Sequence, residues 1–397
     1  MIALRLSIQH SRPALSVRLG LAALAVVALI AAGLVGCAGE GGPVDPGGDE
    51  VGSIQGTVYA PNGETPVAGA RVWVPSAGAS ARQGTVAETT TDALGRFRLQ
   101  SLPAGTVTVN IAKGEWTTTF TATVVVNQVT NVPAADTTMP ATGEGALRVA
   151  VFKGSFDRME DVLAKLGFGE VNEWGVLVPG TETFDLYNRD QLAAVLADLA
   201  QMQQYDLIFL NCGADEFPLW TDRAAAATKV RAYVEGGGRL YVTDLAYDYV
   251  EQAFPAAIDF IGSDRTPVDQ PEQLGVAEVG TGGITVNATV LDTNLRSWLA
   301  GRGALQGDST ARIIGFAPGW AVIAAVGPGT KCWIQGPVTY GSPMKGPEVR
   351  PLTVTFEAGD GQVLYTSYHT AEDKSGTAPT ELLPQEQVLA YLAFELF

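Results

Sequence analysis

The pattern of apolar and polar positions changes three times along the chain. Leu19 to Gly36 is an uncharged, continuously apolar run. From Ile54 to Pro133 apolar and polar residues alternate in short stretches broken by turn residues. Ile54-Gln55-Gly56-Thr57-Val58-Tyr59 runs into Pro61-Asn62-Gly63, and Val72-Trp73-Val74, Gly95-Arg96-Phe97-Arg98-Leu99, Val107-Thr108-Val109 and Val124-Val125-Val126 continue the series. Successive side chains of a strand point to opposite faces, so this period of two predicts short strands in an all-β sandwich over residues 53–133. Beyond residue 146 the period changes again. Leu147–Phe152, Tyr205–Leu210, Arg239–Thr243 and Val363–Thr366 read as buried strands, separated by helical runs at Phe156–Leu166, Leu192–Met202 and Ala224–Glu235. That alternation predicts a parallel sheet covered on both faces, a flavodoxin-like α/β domain over residues 146–397. Residues 275–356, richer in Gly, Pro and β-formers, predict a β-rich insertion before the chain returns to the sheet.

Two stretches lack either period. Residues 37–52, with Asp45, Asp49 and Glu50 among Gly and Pro, read as a flexible tether, and residues 134–145 as a second linker. Few contacts are expected to cross such linkers, so a chain beginning near Gly145 is expected to fold alone.

The N-terminus carries Arg5, Arg12 and Arg18 and no acid before Glu40. A basic region followed by an apolar run is the pattern of a secretory signal peptide, here residues 1–36. About 18 apolar residues can also span a bilayer, but the Gly/Pro/acid stretch Ala38–Gly52 differs from a basic stop-transfer flank. Leu34-Val35-Gly36-Cys37 resembles the bacterial lipobox. The resemblance implies a diacylglyceryl thioether on Cys37 and an exported protein whose partner is the membrane, reached through that lipid. Ala38 after the cysteine implies, by similarity to sorting in Gram-negative bacteria, the outer membrane.

The formal charge is −17, and removing residues 1–36 takes away three arginines and no acid. Such a surface repels nucleic-acid phosphate, and no basic patch offsets it, so nucleic acid is excluded as a partner. Besides Cys37 the chain has Cys212 and Cys332, both in apolar, strand-like runs. They can form one disulfide or remain buried thiols, and sequence leaves both open.

Within the alternating segment, Gly56-Thr57-Val58, Pro66-Val67-Ala68-Gly69-Ala70-Arg71-Val72, Thr91-Asp92-Ala93-Leu94-Gly95-Arg96-Phe97 and Leu102-Pro103-Ala104-Gly105 resemble the carboxypeptidase regulatory-like domain, in that family's order. The resemblance implies a small transthyretin-like sandwich serving as spacer or adhesion module without catalysis. Locally, Asp92 and Gly95 fit a tight turn.

In an open parallel sheet, sites lie beyond the carboxyl ends of the strands. Three such ends carry Asn211-Cys212-Gly213-Ala214-Asp215-Glu216, Thr243-Asp244-Leu245-Ala246-Tyr247-Asp248 and Ser367-Tyr368-His369-Thr370-Ala371-Glu372. His369 is the only histidine beyond His10. These ends resemble the class I glutamine amidotransferase-like superfamily, including its trehalose-utilisation-related branch. Gly361–His369 looks like the strand delivering the family's catalytic histidine, Tyr205–Gly213 like the strand ending at the oxyanion hole, and Gly236–Asp244 like the strand entering the nucleophile elbow. The chain departs from the family where chemistry matters. Asp244 stands where the nucleophilic cysteine would be, Cys212 falls on the preceding strand end, and Glu372 sits one residue farther from His369 than in the family. A thiolate is a tunable, intense nucleophile and a carboxylate is not its equal, so amidotransferase activity is not expected.

Each candidate has two readings. Asp244 can be a nucleophile with His369 as base, or a helix cap beside a hydrogen-bonded imidazole. Asp215, Glu216, Asp244 and Asp248 can gather around a cation, although no contiguous calcium loop is present. Trp220, Trp298, Trp320 and Trp333 can line a carbohydrate platform, but tryptophans in apolar runs usually belong to cores. The expectation is a lipid-anchored envelope protein that binds or supports, without cofactor or metal. Its cleft would hold a small polar or glycan-like ligand, with Cys212, Gly213, Asp215, Glu216, Asp248 and Glu372 as cleft candidates. The alternative is a hydrolase using Asp244 and His369. A carboxylate within hydrogen-bond reach of the imidazole in an open pocket would favour catalysis; a filled arrangement would favour the scaffold.

Overall fold

A computed structural model describes residues 50–76, 85–262, 271, 273–316, 319–370 and 380–396. The signal-peptide segment, Cys37 and Glu372 lie outside the described residues. Among the described residues no helix is long and apolar enough to cross a membrane.

The first part is the expected sandwich. Strands β1 (Val51–Thr57), β2 (Arg71–Pro75), β3 (Thr85–Thr90), β4 (Arg96–Pro103), β5 (Gly105–Lys113), β6 (Trp116–Val124) and β7 (Val129–Asn131) form two sheets, in the orders β4-β1-β7 and β3-β2-β5-β6. Their alternation sends Val72, Val74, Phe97, Leu99, Val109 and Ile111 inward. The turn into β4 is made as the sequence predicts: Asp92 Oδ1 accepts the amides of Leu94 (2.8 Å) and Arg96 (3.0 Å), and Gly95 takes a φ of 71°.

The second part is α/β. In chain order it comprises α1 (Ala134–Thr137), β8 (Val149–Phe152), α2 (Met159–Leu163), β9 (Asp185–Tyr187), α3 (Leu192–Leu196), α4 (Leu199–Met202), β10 (Leu207–Leu210), α5 (Phe217–Glu235), β11 (Arg239–Thr243) and α6 (Asp248–Ala253). There follow β12 (Ile258–Phe260), β13 (Val286–Val290), α7 (Thr293–Gly301), β14 (Thr310–Ile313), β15 (Ile323–Val326), β16 (Lys331–Tyr340), β17 (Lys345–Ala358), β18 (Gly361–Thr366) and α8 (Pro384–Leu396). One nine-stranded sheet runs β14-β13-β16-β17-β18-β11-β10-β8-β9. From β9 to β18 its neighbours are all parallel. Numbered along the chain, those five strands stand in the doubly wound order 2-1-3-4-5, whose direction of winding reverses between β8 and β10. Both strands are buried throughout, the signature of a sheet covered on two faces.

The β-rich insertion is part of this same sheet. β17 pairs antiparallel with β18, Val354 opposite Tyr365, and carries β16, β13 and β14 outward behind it. Helix boundaries also differ from the pattern. The run at Leu192–Met202 breaks at Asp198, whose Oδ1 accepts the Ala200 amide at 2.9 Å. Helix α5 begins at Phe217, before the expected Ala224, but Asp222 is non-helical and its Oδ1 accepts the Ala225 amide at 3.1 Å. The first turn of α5 therefore stands apart from its regular body.

The expectation of a linker crossed by few contacts is corrected. Thr137 and Met139 are buried, and the Met139 amide donates to Tyr59 O at 2.9 Å. The sandwich docks on the α/β part: Trp116 lies 5.8 Å from Phe168 and 5.9 Å from Phe394 between ring centroids. Trp298 Nε1 donates to Pro66 O at 3.1 Å, and Lys113 pairs with Glu395 at 3.0 Å. Gly167, with φ 96°, lets the backbone of Pro61 and Asn62 approach so closely that a Cβ would collide with it. One apolar core is continuous across both parts.

Candidate functional site

The carboxyl ends of β8, β10, β11 and β18 converge on two places, one sealed and one open. The sealed place holds Cys212, Asp244 and His369, which follow β10, β11 and β18, three neighbouring strands. Asp244 turns the chain from β11 into a short helical turn with φ 47°, a backbone conformation a side-chain-bearing residue rarely takes. The elbow shape expected from the sequence is present. The helix-capping reading of Asp244 is not: its Oδ1 accepts the amide of Ala321 at 3.2 Å, from outside that helix, and its carbonyl accepts the Tyr365 hydroxyl at 3.0 Å.

His369 is 3% exposed and Asp244 is fully buried. The imidazole Nδ1 lies 2.8 Å from Thr370 O. A carbonyl only accepts, so Nδ1 carries the hydrogen and a neutral ring leaves Nε2 bare. Nε2 faces Asp244 Oδ2 at 3.9 Å, beyond hydrogen-bond length, and neither atom has a hydrogen-bond partner among the described residues. Burial pushes the Asp244 carboxyl up to about 7, with His369, the Ala321 amide and Cys212 pulling it partly back. Burial raises the Cys212 thiol far above its ordinary range, and the Asp244 charge adds to this. Such a shift disfavours the free thiolate, which is the nucleophilic form.

This arrangement is braced by a residue the sequence reading missed. Asp157 Oδ1 accepts from the amide (3.0 Å) and hydroxyl (2.9 Å) of Thr370, and its Oδ2 from the Thr243 hydroxyl at 2.6 Å. Thr243 Oγ1 in turn accepts the Cys212 amide at 2.8 Å. One carboxylate thus ties together the ends of β10, β11 and β18. Its only signal in the sequence is its place just beyond β8, the first strand of the parallel sheet. Beside it, Glu160 accepts from Asn211 Nδ2 at 3.1 Å.

The open place is a cleft of about 610 Å³ whose walls include Gly213, Asp215, Glu216, Asp248 and Arg189, with Phe156, Phe217 and Trp220 at its rim. Phe217 and Trp220 are each 62% exposed. Both belong to the first turn of α5, set apart by the Asp222 break, which explains their exposure. Trp298, Trp320 and Trp333 are core residues as expected; Trp220 is not, and the expectation for it is corrected. Burial, reinforced by the Asp248 charge, pushes Glu216 up to about 7. Burial pushes Asp248 up to about 6, against the Gly275 amide that donates to its Oδ2 at 2.9 Å.

The structure therefore separates the sequence candidates. Gly213, Asp215, Glu216 and Asp248 line the cleft, whereas Cys212, Asp244 and His369 lie buried outside its lining. The four-carboxylate grouping is corrected, since Asp244 faces His369 and Ala321. Asp215 Oδ1 accepts the Phe217 amide at 3.0 Å. Cys212 and Cys332 are free thiols.

No curated protein matches the chain. Among solved structures, a cytoplasmic protein from Salmonella typhimurium is 12% identical with a TM-score of 0.37, the match covering 62% of this chain and 97% of that one. A second cytoplasmic protein from Salmonella typhimurium is 11% identical (TM-score 0.38; 63% and 99% covered). A ThuA-like protein from Parabacteroides merdae is 14% identical (TM-score 0.36; 62% and 87% covered). Residues 53–139 match the family model of the carboxypeptidase regulatory-like domain, a match that ends at the buried Met139.

Proposed function

We propose that this chain is a lipid-anchored binding protein of the cell envelope, probing a small polar or sugar-like ligand with the cleft at its strand ends. The observation that carries this reading is the split between the two places. The thiol, the elbow carboxyl and the imidazole are buried, whereas the open cleft presents aromatic faces and other carboxyl groups. Aromatic rings stack on the C–H faces of a sugar, and carboxylates accept from its hydroxyls. The α/β part is read as an amidotransferase-like domain without the thiolate at its elbow, because Asp244 holds that position and Cys212 is buried outside the cleft lining. The hydrolase alternative finds less support, since Nε2 and Oδ2 stand 3.9 Å apart and neither residue lines the cleft. The sandwich serves as a spacer fixed to the binding domain through Trp116.

Two experiments test the reading. Cys37→Ala should leave the protein unprocessed or released from membranes; unchanged fractionation together with unchanged mature mass refutes the anchor. A thermal-shift screen of monosaccharides, oligosaccharides and polar metabolites should find a stabilising compound whose effect is lost in Trp220→Ala. A panel that stabilises nothing, or a shift indifferent to Trp220, refutes the assignment of the cleft.

A further inference from the structure

We propose that Cys212, Asp244 and His369 form a buried site for one divalent transition-metal ion of zinc's class. This goes beyond the binding role of the cleft and stands or falls separately from it. The three side chains come from the ends of three adjacent strands, and their ligand atoms all lie within 4.8 Å of one another. Thiolate, imidazole and carboxylate are the donor types that select zinc-like ions over calcium or magnesium.

Two further observations point to a ligand there. First, His369 Nε2 and Asp244 Oδ2 are buried without hydrogen-bond partners among the described residues, facing each other at 3.9 Å. At that separation neither atom can satisfy the other through a hydrogen bond, and a cation bound to both would satisfy them together. Second, the imidazole is oriented as a metal-bound histidine is. Its Nδ1–H is committed to the Thr370 carbonyl, which fixes the tautomer and turns Nε2 inward. Tetrahedral coordination with bonds of about 2.0–2.3 Å would draw the three donors together by only a fraction of an ångström to about 1 Å.

The supports are already in place. Gln385 donates to the His369 carbonyl at 2.9 Å, Tyr365 to the Asp244 carbonyl at 3.0 Å, and the Asp157–Thr243 pair holds the Cys212 amide. An entry path is close: Gly213 and Leu245, the residues after Cys212 and Asp244, both line the open cleft. Three protein donors leave a fourth position for water or a ligand. The positive φ of Asp244 then has a purpose, because it aims the carboxylate at the partners from the neighbouring strands.

The test uses the full-length chain, untagged and solubilised in detergent. Elemental analysis should find about one zinc per chain, and a chelator should remove it with a fall in Tm that zinc restores. Cobalt(II) added to the chelated protein should produce a thiolate-to-cobalt charge-transfer band that saturates at one equivalent. Cys212→Ala should abolish the band, His369→Ala should weaken cobalt binding about 100-fold or more, and Cys332→Ala should change neither. If circular dichroism shows a variant to be unfolded, X-ray absorption of the zinc-loaded native chain decides by the presence of one sulfur neighbour. No stoichiometric metal and no cobalt band in the folded chain would overturn the site. So would a band that survives in Cys212→Ala, or a zinc ion without a sulfur neighbour.

Discussion

Trp116 of the sandwich stacks on Phe394 of the last helix, their ring centroids 5.9 Å apart and their planes inclined by 28°. The indole is fully buried, and its Nε1 donates to Pro140 O at 2.8 Å. A residue from the first third of the chain thus fills a space closed by the C-terminus. Trp116→Ala should cost about 3–5 kcal/mol, the usual cost of emptying a large aromatic site. Chemical denaturation followed by fluorescence and by circular dichroism should show one transition common to both parts. A chain beginning at Gly145 should be far less stable, because Phe168 and Phe394 lose their cover. Two separate transitions, or a stable truncated chain, would count against the continuous core.

Glu160 gives the fold a pH dependence of predictable sign. Its ordinary value of 4.5 is pushed up to about 7 by burial, with the charges of Asp161 and Asp157 adding to the effect. The folded state therefore holds the proton more tightly than the unfolded one. The favourable contribution is complete below pH 4.5 and disappears as pH rises toward about 7. Glu160→Gln keeps an acceptor for Asn211 and removes the charge. It should raise stability at pH 8 by on the order of 1–3 kcal/mol and flatten this limb of the stability profile. Urea denaturation from pH 4 to pH 8 checks it, and a variant that is no more stable than the native chain at pH 8 would refute the assignment.

Much of the fold is legible because burial on both faces writes itself into composition. Leu207-Ile208-Phe209-Leu210 has no other plausible reading than an inner strand. Pairing partners are not written locally. The inserted strands looked like an excursion because nothing in β17 announces that β18 is its neighbour. The stretch 134–145 looked like a linker because its two anchoring residues, Thr137 and Met139, are scattered among Gly, Pro and Ala. At the site, strand-end position found Cys212, Asp244 and His369. It missed Asp157, whose role exists only where three distant segments meet. Trp220 and Trp298 are the same residue type, yet Trp220 is exposed on the turn of α5 that precedes the Asp222 break, whereas Trp298 is fully buried beside Pro66 and Tyr391, partners distant in the sequence.

Cys212 should be inert in the native state. Its side chain is fully buried, so iodoacetamide should label it only after unfolding. Peptide mapping by mass spectrometry reads this directly. The native protein should release no ammonia from glutamine, and Cys212→Ser should lower the Tm rather than remove a turnover. Rapid native alkylation of Cys212, or glutaminase activity lost in Cys212→Ser, would show that the thiol is a working nucleophile.

The central claim is that the open cleft binds without converting what it binds. Calorimetric titration with the best compound from the thermal-shift screen, followed by mass analysis of the recovered compound, tests it most directly. The account predicts saturable binding by the native chain, at least tenfold weaker binding in Phe217→Ala and Trp220→Ala, unchanged binding in Val129→Ala on exposed β7 of the sandwich, which contributes no residue to the cleft, and intact compound throughout. A recovered compound that is hydrolysed by the native chain and spared by Asp244→Asn, or an affinity unaffected by loss of both aromatic side chains, would contradict it.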